Sequence, residues 1–212
     1  MKTERELKLS LEKISFNVLN RYLSKKFKCE TIQQFNKYYD LYHISSGAQP
    51  WYLRLRKENL KDTVRWIFTA KGSSLKKNLY HGRIEIEQEL IKKPTFDHID
   101  AFLRFLLVKN EIIISSEIQA YYTKYIGWTN NERIIIKNPI REIDELALDR
   151  TSFPDNTIDH ELELEFSKDA YFESIENWSK SVFTKLKIPY VKQTLGKRAR
   201  LLQHLINITK NF

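Results

Sequence analysis

The sequence predicts an α+β fold in which a closed β-barrel with a charged interior is covered by amphipathic helices. At least five segments alternate so that one face is solidly apolar and the other carries compact pairs of both charge signs. Three further segments repeat apolar residues at helical spacing. In an open sheet the charged face meets bulk water, whereas closure turns it inward and leaves the apolar outer faces for the helices to cover. Such an interior cannot be dry, because an unpaired buried ion costs several kcal/mol. It calls for water, metal ions and a highly charged ligand.

The alternation begins at Glu4-Arg5-Glu6-Leu7-Lys8, where Glu4, Glu6 and Lys8 share one face and Leu7 and Leu9 the other. Two adjacent carboxylates repel unless a cation lies between them, and a divalent ion with oxygen ligands meets that need. Leu11, Ile14, Val18, Leu19, Tyr22 and Leu23 then follow helical spacing through about Lys26. A strand is expected over Gln34–Leu41, with Asn36, Tyr38 and Asp40 on one face. After the Ser45–Pro50 turn comes Trp51–Arg56, with Arg54 and Arg56 opposite Leu53 and Leu55. Val64–Lys71 places Trp66 and Phe68 opposite Thr69 and Lys71, and Arg83–Gln88 places Arg83, Glu85 and Glu87 opposite Ile84 and Ile86. A helix is expected from Thr95, as its N-cap, through Leu106. Further strands are expected at about Ser115–Tyr125, Arg141–Asp149 and His160–Phe166; in the last, Glu161, Glu163 and Glu165 share a face. The segment from Trp128 to Pro139 carries no assignable pattern. A third helix runs from Asp169 to Leu186, before Pro189, and a basic helix begins near Gly196. Glu-x-Glu recurs, but Lys8 has no counterpart after the later pairs, so no internal repeat is inferred.

Length and composition bound the rest. With 212 residues and 42% hydrophobic content, residues 1–212 suit a single domain with a sizeable core. No apolar run approaches the ~20 residues of a membrane span, and the charged start does not read as a signal peptide. The single Cys29 excludes an intrachain disulfide and a cysteine metal cluster, so a reducing cytoplasmic setting is expected. The net charge of +9 is spread through a Lys-, Asn- and Ile-rich chain, so position is more informative than the total. His43, His81, His98, His160 and His204 show no ligand spacing.

Taken together, the motifs resemble the CYTH domain proteins, or triphosphate tunnel metalloenzymes, whose hallmark is an N-terminal Glu-x-Glu-x-Lys strand. Besides Glu4, Glu6 and Lys8, the chain has Tyr39-Asp40, Leu53-Arg-Leu-Arg56, Thr69-Ala-Lys71, Arg83-x-Glu85-x-Glu87, Leu148-Asp149, Glu161-x-Glu163-x-Glu165 and a C-terminal Lys197 with Arg200, in the family's order. The resemblance implies an eight-stranded antiparallel tunnel that hydrolyses a triphosphate with Mg²⁺ or Mn²⁺. By similarity, Lys8, Arg54, Arg56, Lys71, Arg83, Lys197 and Arg200 hold phosphates, and Glu4, Glu6, Asp149, Glu161 and Glu163 hold metal. Glu85 and Glu87 join the metal shell or orient the basic residues. Lys8 and Glu85 are assigned the catalytic roles. Lys8 follows Glu6 on the same face and reaches both a carboxylate and a phosphate oxygen; Glu85 belongs to the set of glutamates that would orient the attacking water. Where many members carry an arginine after the middle helix, this chain has Thr123-Lys124-Tyr125, so Lys124, or Arg133 instead, takes that contact. Two other readings stand beside hydrolysis: a class IV type adenylyl cyclase, and a non-catalytic module that binds polyphosphate or the 5′-triphosphate end of RNA. Beyond that RNA end, neither nucleic acid nor membrane is expected as a partner, and the chain is expected to be a monomer or homodimer.

Overall fold

A computed structural model describes residues 2–47, 51–77, 80–92, 94, 99–113, 115–167 and 169–210; for 2–4, 73–77, 80–84 and 210 it describes the backbone alone. The element order is β1 (Lys2–Leu11), α1 (Lys13–Ser24), β2 (Glu30–His43), β3 (Trp51–Leu60), β4 (Thr63–Lys77), β5 (Tyr80–Leu90), α2 (Ile99–Lys109), a short 3-10 helix (Ser115–Ala120), β6 (Tyr121–Ile140), β7 (Ile143–Ser152), β8 (Ile158–Glu165), α3 (Phe172–Leu186), β9 (Val191–Lys192) and α4 (Lys197–Lys210). The class is α+β, as expected, and the strands form one large antiparallel sheet of nine, in the order β5-β4-β3-β2-β6-β7-β8-β1-β9. β1 pairs with β8 over Glu6–Leu11 on one side. On its other side it pairs with β5 over Lys2–Glu6 and with β9 at Leu9 and Ser10.

The alternation read from the sequence decides which face is covered. Leu7, Leu9, Leu148, Leu162 and Leu164 form a cluster with Phe16, Leu19 and Leu23 of α1 and Ile175, Val182 and Phe183 of α3. Leu53, Leu55 and Phe68 form a second cluster under Leu103, Leu106 and Leu107 of α2. Each fully buried side chain of this kind contributes about 1.5–3 kcal/mol by leaving water. α4 behaves differently, packing Leu201 against Tyr38 and Phe153. Tyr38 lies on the face of Asn36 and Asp40, so α4 sits against the charged side of the sheet. A Cβ on Gly127 would meet Leu205 at 3.3 Å and Leu201 at 3.4 Å, and the bare glycine backbone leaves that room for the helix.

Several boundaries differ from expectation. Residues 115–120 form the 3-10 helix rather than the start of a strand, and β6 begins at Tyr121. The run Ser-Ser-Glu-Ile-Gln-Ala has a single β-branched residue and no apolar alternation to commit it to a sheet. The unassigned stretch 128–139 lies inside β6, which at 20 residues is the longest strand. Its centre is buried on both faces, with Ile134 and Ile136 in the core and Ile135 lining the cavity, so no period-2 pattern shows. β7 starts at Ile143 because Arg141 and Glu142 form the turn after β6. α1 ends at Ser24 and α3 starts at Phe172. Thr95, expected as an N-cap, lies outside the described residues.

Candidate functional site

The charged faces converge on a cavity of about 1040 Å³. Glu6, Lys8, Arg54, Arg56, Lys71 and Glu163, which belong to strands far apart in the chain, all line it, together with Glu85, Glu87 and Lys197. For the strand residues parity does this: each is one of a run of alternating positions whose neighbours on the other face are committed to the core, whereas Lys197 comes from the start of α4.

One wall is backed by a compact ionic cluster. Asp149 on β7 and Glu161 and Glu163 on β8 each offer an oxygen within 4.8 Å of the others. They are 0%, 1% and 3% exposed, so charge there must be matched closely. Lys197, the first residue of α4, supplies part of the match: its Nζ lies 2.7 Å from Asp149 Oδ2 and 2.8 Å from Glu163 Oε1, and it also contacts Glu161. Arg133 donates through Nε to Asp149 Oδ1 at 2.8 Å and through Nη2 to Oδ2 at 2.6 Å, and its Nη2 also reaches Glu163. Lys8 joins Glu163 to Glu6, the latter at 3.0 Å. Arg200 donates to Glu161 at 2.8 Å and lies 2.9 Å from Asp159. Burial alone would raise the Glu163 carboxyl, but Lys197, Lys8 and Arg133 outweigh it and hold the group well below the usual carboxylate range. Asp149 is depressed in the same way against its burial, by Arg133 and Lys197. The Lys197 ammonium is raised: burial opposes it, and Asp149, Glu161 and Glu163 prevail.

The wall on β3 and β4 is paired more loosely. Arg54 donates to Thr69 Oγ1 at 3.0 Å but approaches Glu85 and Glu87 only to 3.8 and 3.7 Å, and its buried Nε has no hydrogen-bond partner. Arg56 donates to Asn36 Oδ1 at 2.9 Å and lies 3.2 Å from Glu58. Burial lowers the Arg56 guanidinium, and Arg54 and Arg133 push it the same way, more than Glu58 and Glu87 restore. Lys71 pairs with Glu85 at 3.1 Å. Three cations beside an orphaned N–H form a site with room for a polyanion.

Not every candidate lies in the cavity. Asp149, Glu161 and Arg200 are buried just behind its lining, in contact with Lys197 or with one another. Lys124 stands opposite Asp40 in the β2–β6 register but is exposed, whereas Arg133 lines the cavity from the same strand. Glu4 and Arg83 are register partners across β1 and β5, and their side chains lie outside the described residues. Arg198 was not singled out from the sequence: it grips Asp40 through Nε at 2.8 Å and Nη2 at 2.5 Å, and lies 5.4 Å over the Tyr52 ring. The unpartnered carboxylate of Asp40 on a face of neutral residues was the available signal.

The three acidic oxygens are close enough to bind one divalent cation, and carboxylates are the hard ligands such an ion takes. Among the described residues no helix is long and apolar enough to cross a membrane. No family model and no curated protein matches the sequence. Solved structures do. HpAC1 from Hippeastrum, a putative adenylyl cyclase described as having a dominant triphosphatase activity, matches with a TM-score of 0.72 at 20% identity, over 95% of this chain and 96% of that one. The PH1819 protein from Pyrococcus horikoshii matches at 0.64 and 17% identity, over 95% and 99%. A chain of the Schizosaccharomyces pombe Mediator head module matches at 0.55 and 14% identity, over 91% and 100%, so the fold by itself does not name an activity. The chain shares its fold with these structures.

Proposed function

We propose that the chain is a divalent-metal-dependent triphosphatase, hydrolysing the terminal phosphoryl group of an inorganic or organic triphosphate inside an eight-stranded barrel. The pairing of β1 with both β8 and β5 supports closure of the eight long strands, with β9 as a short addition. The observation that carries the function is one cavity lined by Arg54, Arg56 and Lys71 together with Glu163, which belongs to a buried carboxylate triad whose other members lie just behind the lining. Asp149, Glu161 and Glu163 would hold Mg²⁺ or Mn²⁺, with Glu6 and Glu4 as further ligands. Bound there, the ion would neutralise charge on the phosphate oxygens.

The protein's own groups then have separable tasks. Arg54 and Arg56 fork onto phosphate oxygens, which satisfies the orphaned Nε of Arg54. Lys71, Lys8, Lys197 and, as the resemblance implies, Arg83 act on the phosphates, the lysines as point charges, and Arg133 serves in place of Lys124. Arg200 positions Glu161 rather than touching phosphate. Glu85, held by Lys71, orients the attacking water and takes its proton; as the water oxygen bonds to the terminal phosphorus, the bridging P–O bond breaks and the diphosphate portion leaves with that electron pair. Such a reaction asks mainly for positioning and electrostatic stabilisation.

The test is phosphate release from tripolyphosphate, ATP and thiamine triphosphate with Mg²⁺ and with Mn²⁺. Arg54→Ala should mainly raise KM, and Lys8→Ala should lower kcat more than it raises KM. Cyclic AMP formed from ATP without phosphate release would replace hydrolysis by cyclisation, and tight binding without product would leave a binding module.

A further inference from the structure

Lys197 lies where a metal ion would. Its ammonium touches one oxygen from each of Asp149, Glu161 and Glu163, the same three residues whose oxygens converge within 4.8 Å. Converging carboxylate oxygens satisfy an ammonium ion as they satisfy a divalent cation, so the two are rivals for one position. We propose that Lys197 is a tethered cation that occupies the metal position until a triphosphate arrives. Metal and triphosphate then load together, while Lys197 moves from the carboxylates to the phosphate oxygens. The proposal rests on the metal-dependent reading of the site given above.

Charge balance supports joint loading. Glu6, Asp149, Glu161 and Glu163 carry four negative charges; with Glu145 and Asp159, which Arg133 and Arg200 also touch, the cluster has six, against five positive charges from Lys8, Arg133, Lys137, Lys197 and Arg200. The first four carboxylates are buried. A divalent ion entering this nearly balanced set while Lys197 stays in place would leave a net positive charge in a site largely shielded from water, which is unfavourable. A triphosphate entering at the same time removes the excess. Metal alone should therefore bind weakly, and metal with triphosphate strongly, which is a coupling between two ligands of one site.

The geometry allows the exchange. Lys197 and Gly196 line the same cavity as Arg54, Arg56 and Lys71, so a side chain leaving the carboxylates remains within the chamber that would hold the phosphates. A Cβ built on Gly196 meets nothing within 4 Å, so the chain just before α4 has room to adjust. The rest of α4 is fastened independently: Arg198 to Asp40, His204 to Asp155, and Leu201 against Tyr38 and Phe153. A lysine stem with four rotatable methylenes can swing its charge without moving that helix.

The experiment is a Mn²⁺ titration followed by electron paramagnetic resonance, on the full chain, with and without a non-hydrolysable imido analogue of tripolyphosphate. The wild type should bind Mn²⁺ at least about tenfold more tightly when the analogue is present. Lys197→Met should bind Mn²⁺ alone at least about tenfold more tightly than the wild type, since the competing closed state is gone. Lys197→Arg, which keeps the charge, should remain as weak as the wild type. Equal Mn²⁺ affinity in the wild type and Lys197→Met, or no effect of the analogue, overturns the exchange. If Mn²⁺-dependent phosphate release persists alongside such a result, the triphosphatase reading survives and only the exchange falls. Absence of Mn²⁺ binding under every condition removes both. Should Lys197→Met fail to fold, the wild-type comparison with and without analogue still decides.

Discussion

Glu163 touches Lys8, Arg133 and Lys197 at once, and the consequence of losing it follows from that. Glu163→Gln keeps the volume but leaves three buried cations short of a counter-charge; breaking a buried ion pair from one side costs about 3–5 kcal/mol. For a chain of this size that is a fall in Tm on the order of 10 °C, measured by thermal unfolding without metal. The pH dependence has a definite sign. Because Lys197, Lys8 and Arg133 hold the folded carboxyl well below the usual carboxylate range, its contribution is complete above the unfolded carboxyl's pKa and is lost as pH falls through the lower folded one. The variant should therefore lose less stability than the wild type on acidification below about pH 5. Equal acid slopes for the two proteins would show that Glu163 does not carry the cluster's charge balance. Arg133 illustrates the limits of reading at this scale. It lies in a stretch with no legible period, and its position was only an alternative to Lys124 until the pairing of β6 with β7 put it opposite Asp149.

At the scale of elements, α4 brings three basic residues, Lys197, Arg198 and Arg200, to the cavity or its immediate backing, and it is held from outside by a second anchor. His204 Nδ1 lies 2.7 Å from Asp155 Oδ2 and 3.1 Å from Thr157 Oγ1, and its ring stacks on Phe153 at 4.2 Å. His204→Ala removes a hydrogen bond worth about 0.5–1.5 kcal/mol. It should lower Tm by about 2–4 °C and raise KM for the triphosphate by loosening the helix that carries Lys197. An unchanged KM with a lowered Tm would confine His204 to stability. β6 shows the opposite relation between sequence and element: β2 pairs with it over Tyr121–Ile135 and β7 over Asn130–Ile140, and where both flank it the strand is specified by its neighbours rather than by its own alternation. The same reasoning covers Ser115–Ala120, where nothing local favours a strand and no strand forms.

For the whole molecule, two apolar clusters lie under α1 with α3 and under α2, while the buried carboxylates are matched by cations of the chain itself. The fold should therefore stand without metal. Treatment with EDTA should abolish turnover, with far-UV circular dichroism unchanged and Tm moved by no more than a few degrees, unlike a structural zinc domain that unfolds on chelation. Cooperative unfolding on chelation would show that the carboxylates need the ion for folding. Read alone, the sequence determined which residues face inward. The parity of Glu6, Arg54, Arg56, Lys71 and Glu163 follows from a period of two with one face committed to apolar contact, and all five line one cavity. It also placed α1, α2, α3 and α4 within a few residues, because apolar spacing and breakers are local. Only the tertiary structure decided which inward charges meet. Strand order and register set Lys197 among Asp149, Glu161 and Glu163, gave Arg133 rather than Lys124 the cavity position, and brought Arg198 to Asp40. These contacts join residues up to 158 positions apart, and pairing at that separation depends on how the strands align, which no local pattern encodes.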